Sequence, residues 1–546
     1  MGRMTVGKRL AASAEPGAVV SAEAASARSP GWPTRWRAGA FWLLGAGAAV
    51  ACYLRLASTR AVDSDGASQA LQAWDMLHGN VLLHGWWLSD VAFYTTELPQ
   101  YMLVELMRGL NADVVHVAAA MTYTLVLLLA ALLAKGTAGG RAAVARVLIT
   151  AGIMLAPQLS SGVKTLVSSP DHIGTTVPLL VVWLILDRAR PRWYIPVAAA
   201  LVLGWAAVAD PLVLYVGVLP LALVCAFRAG RSVLRERRPW RSQWYYLALG
   251  GGALLAGGAA ELALHLIRAV GGFYVHPPVT QVVHGFGMLL HNLNLADQGL
   301  LMLSGASFLG LGLSAVAVIA VLHLVGLVLI VVGFGVAARR FLPGLDLVEQ
   351  VLITAVVINL VAYVCSTQAG SIWSTRELAA VLPFTAVLAG RMLADRVLAV
   401  RLAPALLLVV LAGYLAGLGY SLAQPAEPPQ NQQLASWLEA HHLYSGLAGF
   451  WQSNVVTLAS GNQVRIRQLT KAGRRLAPYQ WESDAAWYDP KYQTADFVVF
   501  NPPIADYSGF ADEAAALATF GQPAHAYQIG HYTVMVWNKN LLTDLR

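Results

Sequence analysis

The ionisable side chains of this sequence are concentrated in a few stretches, several of which set carboxylates beside cations and aromatic rings. One runs from Arg60 to Arg108 and holds Asp63, Asp65, Asp75, Asp90, Glu97 and Glu105 among Trp74, Trp86, Trp87, Phe93, Tyr94 and Tyr101. Another is Ser168-Ser169-Pro170-Asp171-His172, and a third is Trp373-Ser374-Thr375-Arg376-Glu377. A carboxylate can take the proton of an attacking hydroxyl, and Arg or Lys can steady a departing phosphate, so these residue types suffice for transfer of a group from a phosphate ester. Capping competes with catalysis for the same residues. The apolar spacing of Ala67 to Leu77 predicts an amphipathic helix lying on the membrane surface, which Asp63 or Asp65 could cap, and Asp171 could cap the helix after Pro170. The connection from Arg268 to Ser307 adds His276, His284, His291 and Asp297, without the short spacing of a dedicated zinc site. Asp210-Pro211 reads as a turn between spans.

The elements that position these stretches are apolar. Hydrophobic residues make up 57% of the 546 positions and charged residues 12%, against about 25% charged in a soluble domain, so the chain reads as an α-helical polytopic membrane protein. The net charge of +8 does not point to nucleic acid, because Lys and Arg cluster between apolar runs, where they orient helices. Runs near Ala38–Ala57, Val114–Ala134, Val147–Val163, Ile173–Leu186, Trp193–Ala209, Leu212–Phe227, Trp244–Leu266, Phe308–Ala338, Val348–Cys365, Leu378–Leu393 and Leu402–Leu422 make about eleven transmembrane helices. Alternate connections collect Lys and Arg, which puts the N-terminus in the cytoplasm and the C-terminus outside. Residues 1–37 read as a disordered cytoplasmic tail, 38–422 as the membrane domain with a large first outer loop at 58–112, and 423–546 as an extracytoplasmic α/β domain after a Pro-rich linker. Cys52, Cys225 and Cys365 sit in apolar runs and read as small core residues.

The first outer loop resembles that of the GT-C glycosyltransferases, in the protein mannosyltransferase and aminoarabinose-transferase branch. The residues that carry the likeness are Asp65-Gly66, then Trp74-Asp75-Met76-Leu77-His78-Gly79-Asn80, then Glu97-Leu98-Pro99-Gln100. The resemblance implies a GT-C-like fold and transfer of a sugar from a polyprenyl-phosphate donor to a cell-envelope glycan, lipid or protein. It also implies Asp65 as the base of an inverting displacement, with Glu97 and Asp171 or His172 orienting the acceptor or a divalent ion. Two departures stand out: Gly66 replaces the Glu of an acidic pair, and Leu98 stands where one branch has a phosphate-binding Lys. The phosphate therefore needs Lys164, Arg268 or Arg376, with Arg376 first, while Asp63 would line the substrate site. No cofactor is required, although Mg or Mn is compatible. A transporter or lipid-linked sugar flippase, or a cell-envelope scaffold, would use the same outer carboxylates differently.

Overall fold

The computed structural model describes residues 32–278, 280–342, 344–427, 430–501 and 511–545. Residues 1–31 of the expected tail and Pro428 and Pro429 of the expected linker lie outside the described residues. The first helix, α1 (Trp32–Ala57), begins inside the stretch assigned to the tail. Pro33 sits in its opening turn, where a missing N–H leaves no hydrogen bond unmade.

Helices α2 (Ser64–Leu77), α3 (Glu97–Arg108), α4 (Asp113–Lys135), α5 (Gly140–Met154), α6 (Ser161–Leu166), α7 (Asp171–Gly174), α8 (Thr176–Arg188) and α9 (Tyr194–Ala209) follow in order. Then come α10 (Leu219–Leu234), α11 (Trp244–Ala269), α12 (Phe286–Leu303), α13 (Ala315–Arg340), α14 (Leu347–Val364), α15 (Val381–Ala399) and α16 (Ala403–Leu422). Each apolar run of the sequence is helical over most of its length, but the count of eleven spans is not reproduced. Six helices among the described residues are long and apolar enough to cross a membrane, or seven if Ile372–Leu378 and α15, bent by 51°, make one broken span. The run Val147–Val163 divides around Pro157 into α5 and α6, and the 308–338 run becomes helical only at Ala315, behind a Ser314 cap. Helix α12 falls in a connection where the sequence predicted only a loop.

Helix α2 corrects the expectation of a surface helix. Its Ala67, Ala70 and Ala73 pack with Tyr101 and Val104 of α3, with Val114, Val115 and Ala118 of α4, and with Val455 and Leu458 from the C-terminal region. Small residues let three elements approach it at once, so it is enclosed by protein. Gly66 has a packing reason: a Cβ there would stand 2.7 Å from Val115 Cγ1. Leu98 is fully buried in an apolar cluster with Leu71, Leu83 and Phe273, far from any role for a cation.

The C-terminal region forms a six-stranded sheet. Taking β1 as Trp86–Leu88 and β2 as Tyr274–Val275, its strands are β3 (Ser445–Ala448), β4 (Arg465–Ala472), β5 (Arg475–Pro478), β7 (Phe497–Phe500), β8 (His525–Ile529) and β9 (Tyr532–Val536), ordered β5-β4-β3-β7-β9-β8. The run Phe497-Val498-Val499-Phe500 is apolar throughout because both sheet faces are covered: Phe497 and Val499 pack with Leu434 and Leu438, and Val498 and Phe500 with Ala515 and Phe520. The remaining strand, β6 (Ser483–Asp484), leaves this sheet and pairs antiparallel with β1, which pairs parallel with β2. Three distant segments thus form one small sheet, and it locks the C-terminal domain onto the first loop.

At the opposite end of the bundle, connections predicted to share the basic side do meet. Buried Arg391 on α15 donates to Asp187 at 2.6 Å, to Asp346 at 2.9 Å and to the Leu133 carbonyl at 2.6 Å and 3.0 Å. Replacing it leaves buried Asp187 without its cation, so Arg391→Leu is expected to destabilise the chain by about 3–5 kcal/mol. Thermal unfolding in detergent measures this; a change of Tm indistinguishable from zero contradicts it.

Candidate functional site

Asp65 enters the site from the first turn of α2. Its neighbour Asp63 is the cap, accepting from the Gly66 N–H at 3.0 Å, and this leaves Asp65 free to meet Arg376 Nη1 at 3.0 Å. Arg376 also lies 3.9 Å from Asp171. Asp171 does not cap α7; its carboxylate accepts from Ser169 Oγ at 2.7 Å and from Gln69 Nε2 at 3.1 Å. Gln69 projects one turn beyond Asp65 on α2, so that helix holds both carboxylates near one guanidinium.

A second charge cluster adjoins the first. His172 Nδ1 is 2.8 Å from Asp210 and Nε2 is 3.1 Å from Glu377, and all three side chains are largely buried. Burial alone pulls an imidazole toward neutrality, but Glu377 and Asp210 outweigh it and hold the His172 pKa well above its ordinary value. Burial likewise pushes Asp210 up, yet His172 together with hydrogen bonds from Thr175 Oγ1 (2.6 Å) and the Leu212 N–H (2.8 Å) bring it below the usual carboxylate range. Asp210 is therefore more than a turn residue. Together with Glu377 it favours the protonated form of His172.

Two cavities share the wall that these residues build. The smaller, ≈ 50 Å³, is lined by Asp65, Asp171, Arg376 and, from the C-terminal domain, Trp481 and Glu482. The larger, ≈ 730 Å³, is lined by apolar residues of the α9–α10 region together with Asp210, Glu261, His265, Arg268, Tyr274 and His276. Asp90, Val91, His172, Gln368 and Glu377 belong to both. Burial raises the pKa of Asp90 first of all, and Glu377 adds to it against His172 and Arg376. Arg268 lies 4.1 Å over the Tyr274 ring. Cys365, expected in a core, is exposed at the end of α14 and lines the larger cavity.

Several residues singled out in the sequence stand elsewhere. Glu97 is wholly buried at the start of α3, hydrogen-bonded by Thr96 Oγ1, and lines neither cavity. It sits so close behind α7 that a Cβ on Gly174 would be 2.1 Å from its Oε1, and burial holds its pKa well above the ordinary value. A role in orienting acceptor or metal does not fit that position. Asp63 also lines neither cavity; burial, then Asp65 and Asp171, push its pKa up to about 7. Lys164 lines neither cavity and lies 4.2 Å above the Trp373 ring. His284 and His291 do not line either cavity, and among the described residues no group of three His, Cys, Asp or Glu is arranged to hold a metal ion. No site role is assigned from the sequence to Asp90, Asp210, Glu377, Trp481 or Glu482. Glu377 was visible only as a neighbour of Arg376, and Glu482 lies in a domain with no catalytic motif.

The Trp74–Asn80 motif acts as a staple. Asp75 Oδ2 accepts from Asn80 Nδ2 at 2.7 Å and from Trp86 Nε1 at 2.8 Å, which fixes β1 against the end of α2. Gly79, at φ +104, permits the reversal between them.

No family profile matches the sequence, and no curated protein matches it either. Solved structures do match. ArnT from Cupriavidus metallidurans, crystallised with undecaprenyl phosphate, aligns over 90% of this chain and 97% of its own with a TM-score of 0.54 and 12% identity. The Archaeoglobus fulgidus oligosaccharyltransferase, crystallised with Zn and sulfate, aligns over 92% of this chain and 73% of its own with a TM-score of 0.45 and 14% identity. The likeness to ArnT shows a shared fold, a bundle of helices with a C-terminal sheet region.

Replacing His172 would leave Asp210 and Glu377 facing each other, so His172→Gln is expected to cost about 3–5 kcal/mol near pH 7. Because its folded pKa is raised, the stabilisation due to His172 is complete below the unfolded value and is lost as pH rises through the folded value. The matching contribution of Asp210, whose folded pKa is lowered, is lost as pH falls through that value. Melting curves of wild type and variant should therefore differ most in mild acid, below the ordinary His pKa and above the range in which Asp210 takes up its proton, and converge in alkali; a gap that widens with pH contradicts the pairing.

Proposed function

We propose that this GT-C-fold chain is a membrane glycosyltransferase that moves a sugar from a polyprenyl-phosphate donor to an extracytoplasmic cell-envelope acceptor, inverting the anomeric centre. The observation that carries the reading is the shared wall: a large apolar cavity with a cation in its lining meets a small acid-rich pocket across Asp90, His172 and Glu377. An isoprenoid tail suits the first, and a base acting on an acceptor hydroxyl suits the second. ArnT, which shares the fold, was crystallised with undecaprenyl phosphate, and this supports a lipid-phosphate ligand.

Arg268 is the favoured partner of the donor phosphate. It stands at the larger cavity with His265, whereas Arg376 is flanked by Asp65 and Asp171 and would bring the phosphate against two carboxylates. Asp65 is the proposed base, lying in the small pocket with Arg376 Nη1 3.0 Å from its carboxylate. Asp90 is the second candidate, because it lines both cavities and burial raises its pKa toward the range useful for proton transfer. The Lys and Arg distribution supports a cytoplasmic N-terminus, a membrane domain over 38–422 and an outer domain over 423–546.

With an undecaprenyl-phosphate sugar as donor and cell-envelope extract as acceptor, Asp65→Asn is expected to lower transfer by about 10²–10⁴-fold while undecaprenyl phosphate still binds. Loss in Asp90→Asn with activity kept in Asp65→Asn would move the base to Asp90, and activity in both would refute the mechanism. Arg268→Gln is expected to weaken undecaprenyl phosphate binding by about 10–100-fold; native mass spectrometry reads it, and unchanged affinity would exclude Arg268 from the phosphate site.

A further inference from the structure

We infer that the C-terminal domain supplies the acceptor-positioning wall of the site, with Trp481 and Glu482 holding a sugar hydroxyl of the acceptor beside Asp65. This deepens the transferase reading above and rests on it.

The segment is built into the site rather than resting on it. Immediately after Glu482, β6 pairs with β1, Ser483 opposite Trp87 and Asp484 opposite Trp86. The Ala485 N–H donates to the Gly85 carbonyl at 2.9 Å. On the other side, His276 hydrogen-bonds the Gln480 carbonyl and stacks on Trp481 with centroids 5.4 Å apart. His276 belongs to the wall of the larger cavity and Trp481 to the smaller, so this contact ties the two together.

Glu482 has φ +49, in the left-handed region that a residue with a side chain seldom adopts. Its carbonyl is held there by Gln468 Nε2 at 2.9 Å, Asn454 Nδ2 at 3.4 Å and Ser68 Oγ at 3.5 Å, donors from three separate elements. Strain of this kind persists only where the surroundings impose it, and here the imposed conformation delivers a carboxyl to the pocket. The side chain is 5% exposed, lines the small pocket, and its Oε2 has no hydrogen-bond partner among the described residues. A buried polar atom left unpaired is expensive unless a ligand completes it.

The charge balance decides which ligand. Asp65 and Asp171 already flank the Arg376 guanidinium in the lining, so the pocket disfavours phosphate and favours a neutral hydroxyl. Burial, then Asp65 and Asp171, hold the Glu482 carboxyl well above its usual range. A carboxyl accepts a hydrogen bond from a hydroxyl in either form and also donates one when it is protonated. The pocket admits the hydroxyl end of an acceptor, and the indole of Trp481 offers the apolar face on which a sugar ring lies. The donor then approaches from the Arg268 side and the acceptor from the C-terminal domain, on opposite sides of the wall they share.

The test uses the full chain in nanodiscs, undecaprenyl-phosphate-linked glucose, mannose and arabinose as donors, and their methyl glycosides with methyl galactoside as acceptors. Glu482→Gln and Trp481→Ala are expected to raise the acceptor KM about 10-fold or more, with donor KM and undecaprenyl phosphate affinity within about 2-fold of wild type and Glu482→Asp recovering part of the loss. Retained lipid-phosphate binding shows that the variants are folded. The inference is overturned if acceptor KM is unchanged in both variants, if donor affinity falls in proportion, or if a wild type that labels envelope extract accepts no glycoside. A wild type that neither binds undecaprenyl phosphate nor transfers sugar overturns the transferase reading instead.

Discussion

Charge compensation in a place poor in cations is the constraint on which this structure depends. Arg376 sits against Asp65 and Asp171, and His172 sits between Asp210 and Glu377, so two positive groups answer for at least four negative ones. The remaining acids, Asp90 and Glu482, have pKa values raised by burial and by those neighbours. Each charged group is held by another from a different part of the chain. The site is therefore a product of the whole bundle, and its rigidity follows from the cost of leaving any one of these charges unpaired.

That cost also explains the covering architecture. Carboxylates facing open water would be screened and weakly coupled, whereas enclosure by the C-terminal domain strengthens their mutual effects. The enclosure is achieved by backbone pairing, with β6 joined to β1 and β1 to β2, and by the packing of Val455 and Leu458 against the small residues of α2. The Asp75 staple between Asn80 and Trp86 connects these devices, since it sets β1 where β6 can reach it. A segment that looks like an acidic aromatic loop in sequence is thus the hub between bundle and domain.

The electrostatic asymmetry between the two cavities supports a division of labour. One is large and mostly apolar, with Arg268 and His265 in its lining beside Glu261; the other is small and acid-rich. In the proposed transfer a lipid phosphate would take the first and an acceptor hydroxyl the second, and His172 lies on the wall that the two cavities share.

Read alone, the sequence already determined a polytopic helical protein, because apolar runs and the placement of Lys and Arg reflect transfer energies that each segment carries by itself. It also determined the helix behind Asp65, the strand Phe497–Phe500 and the helix Glu513–Phe520, whose patterns are local. The pairing of Asp65 with Arg376, 311 positions apart, was legible only as two candidates on one side of the membrane. Tertiary structure decided the rest. It put Glu97 behind the wall and Lys164 over the Trp373 ring. It also turned Asp210 into the partner of His172 and brought Glu482 in from another domain. The reason is physical: whether a carboxylate is a cap, a buried neutral acid or a reactive group depends on which distant charges and donors surround it, and the spacing of residues along a chain carries no information about those neighbours.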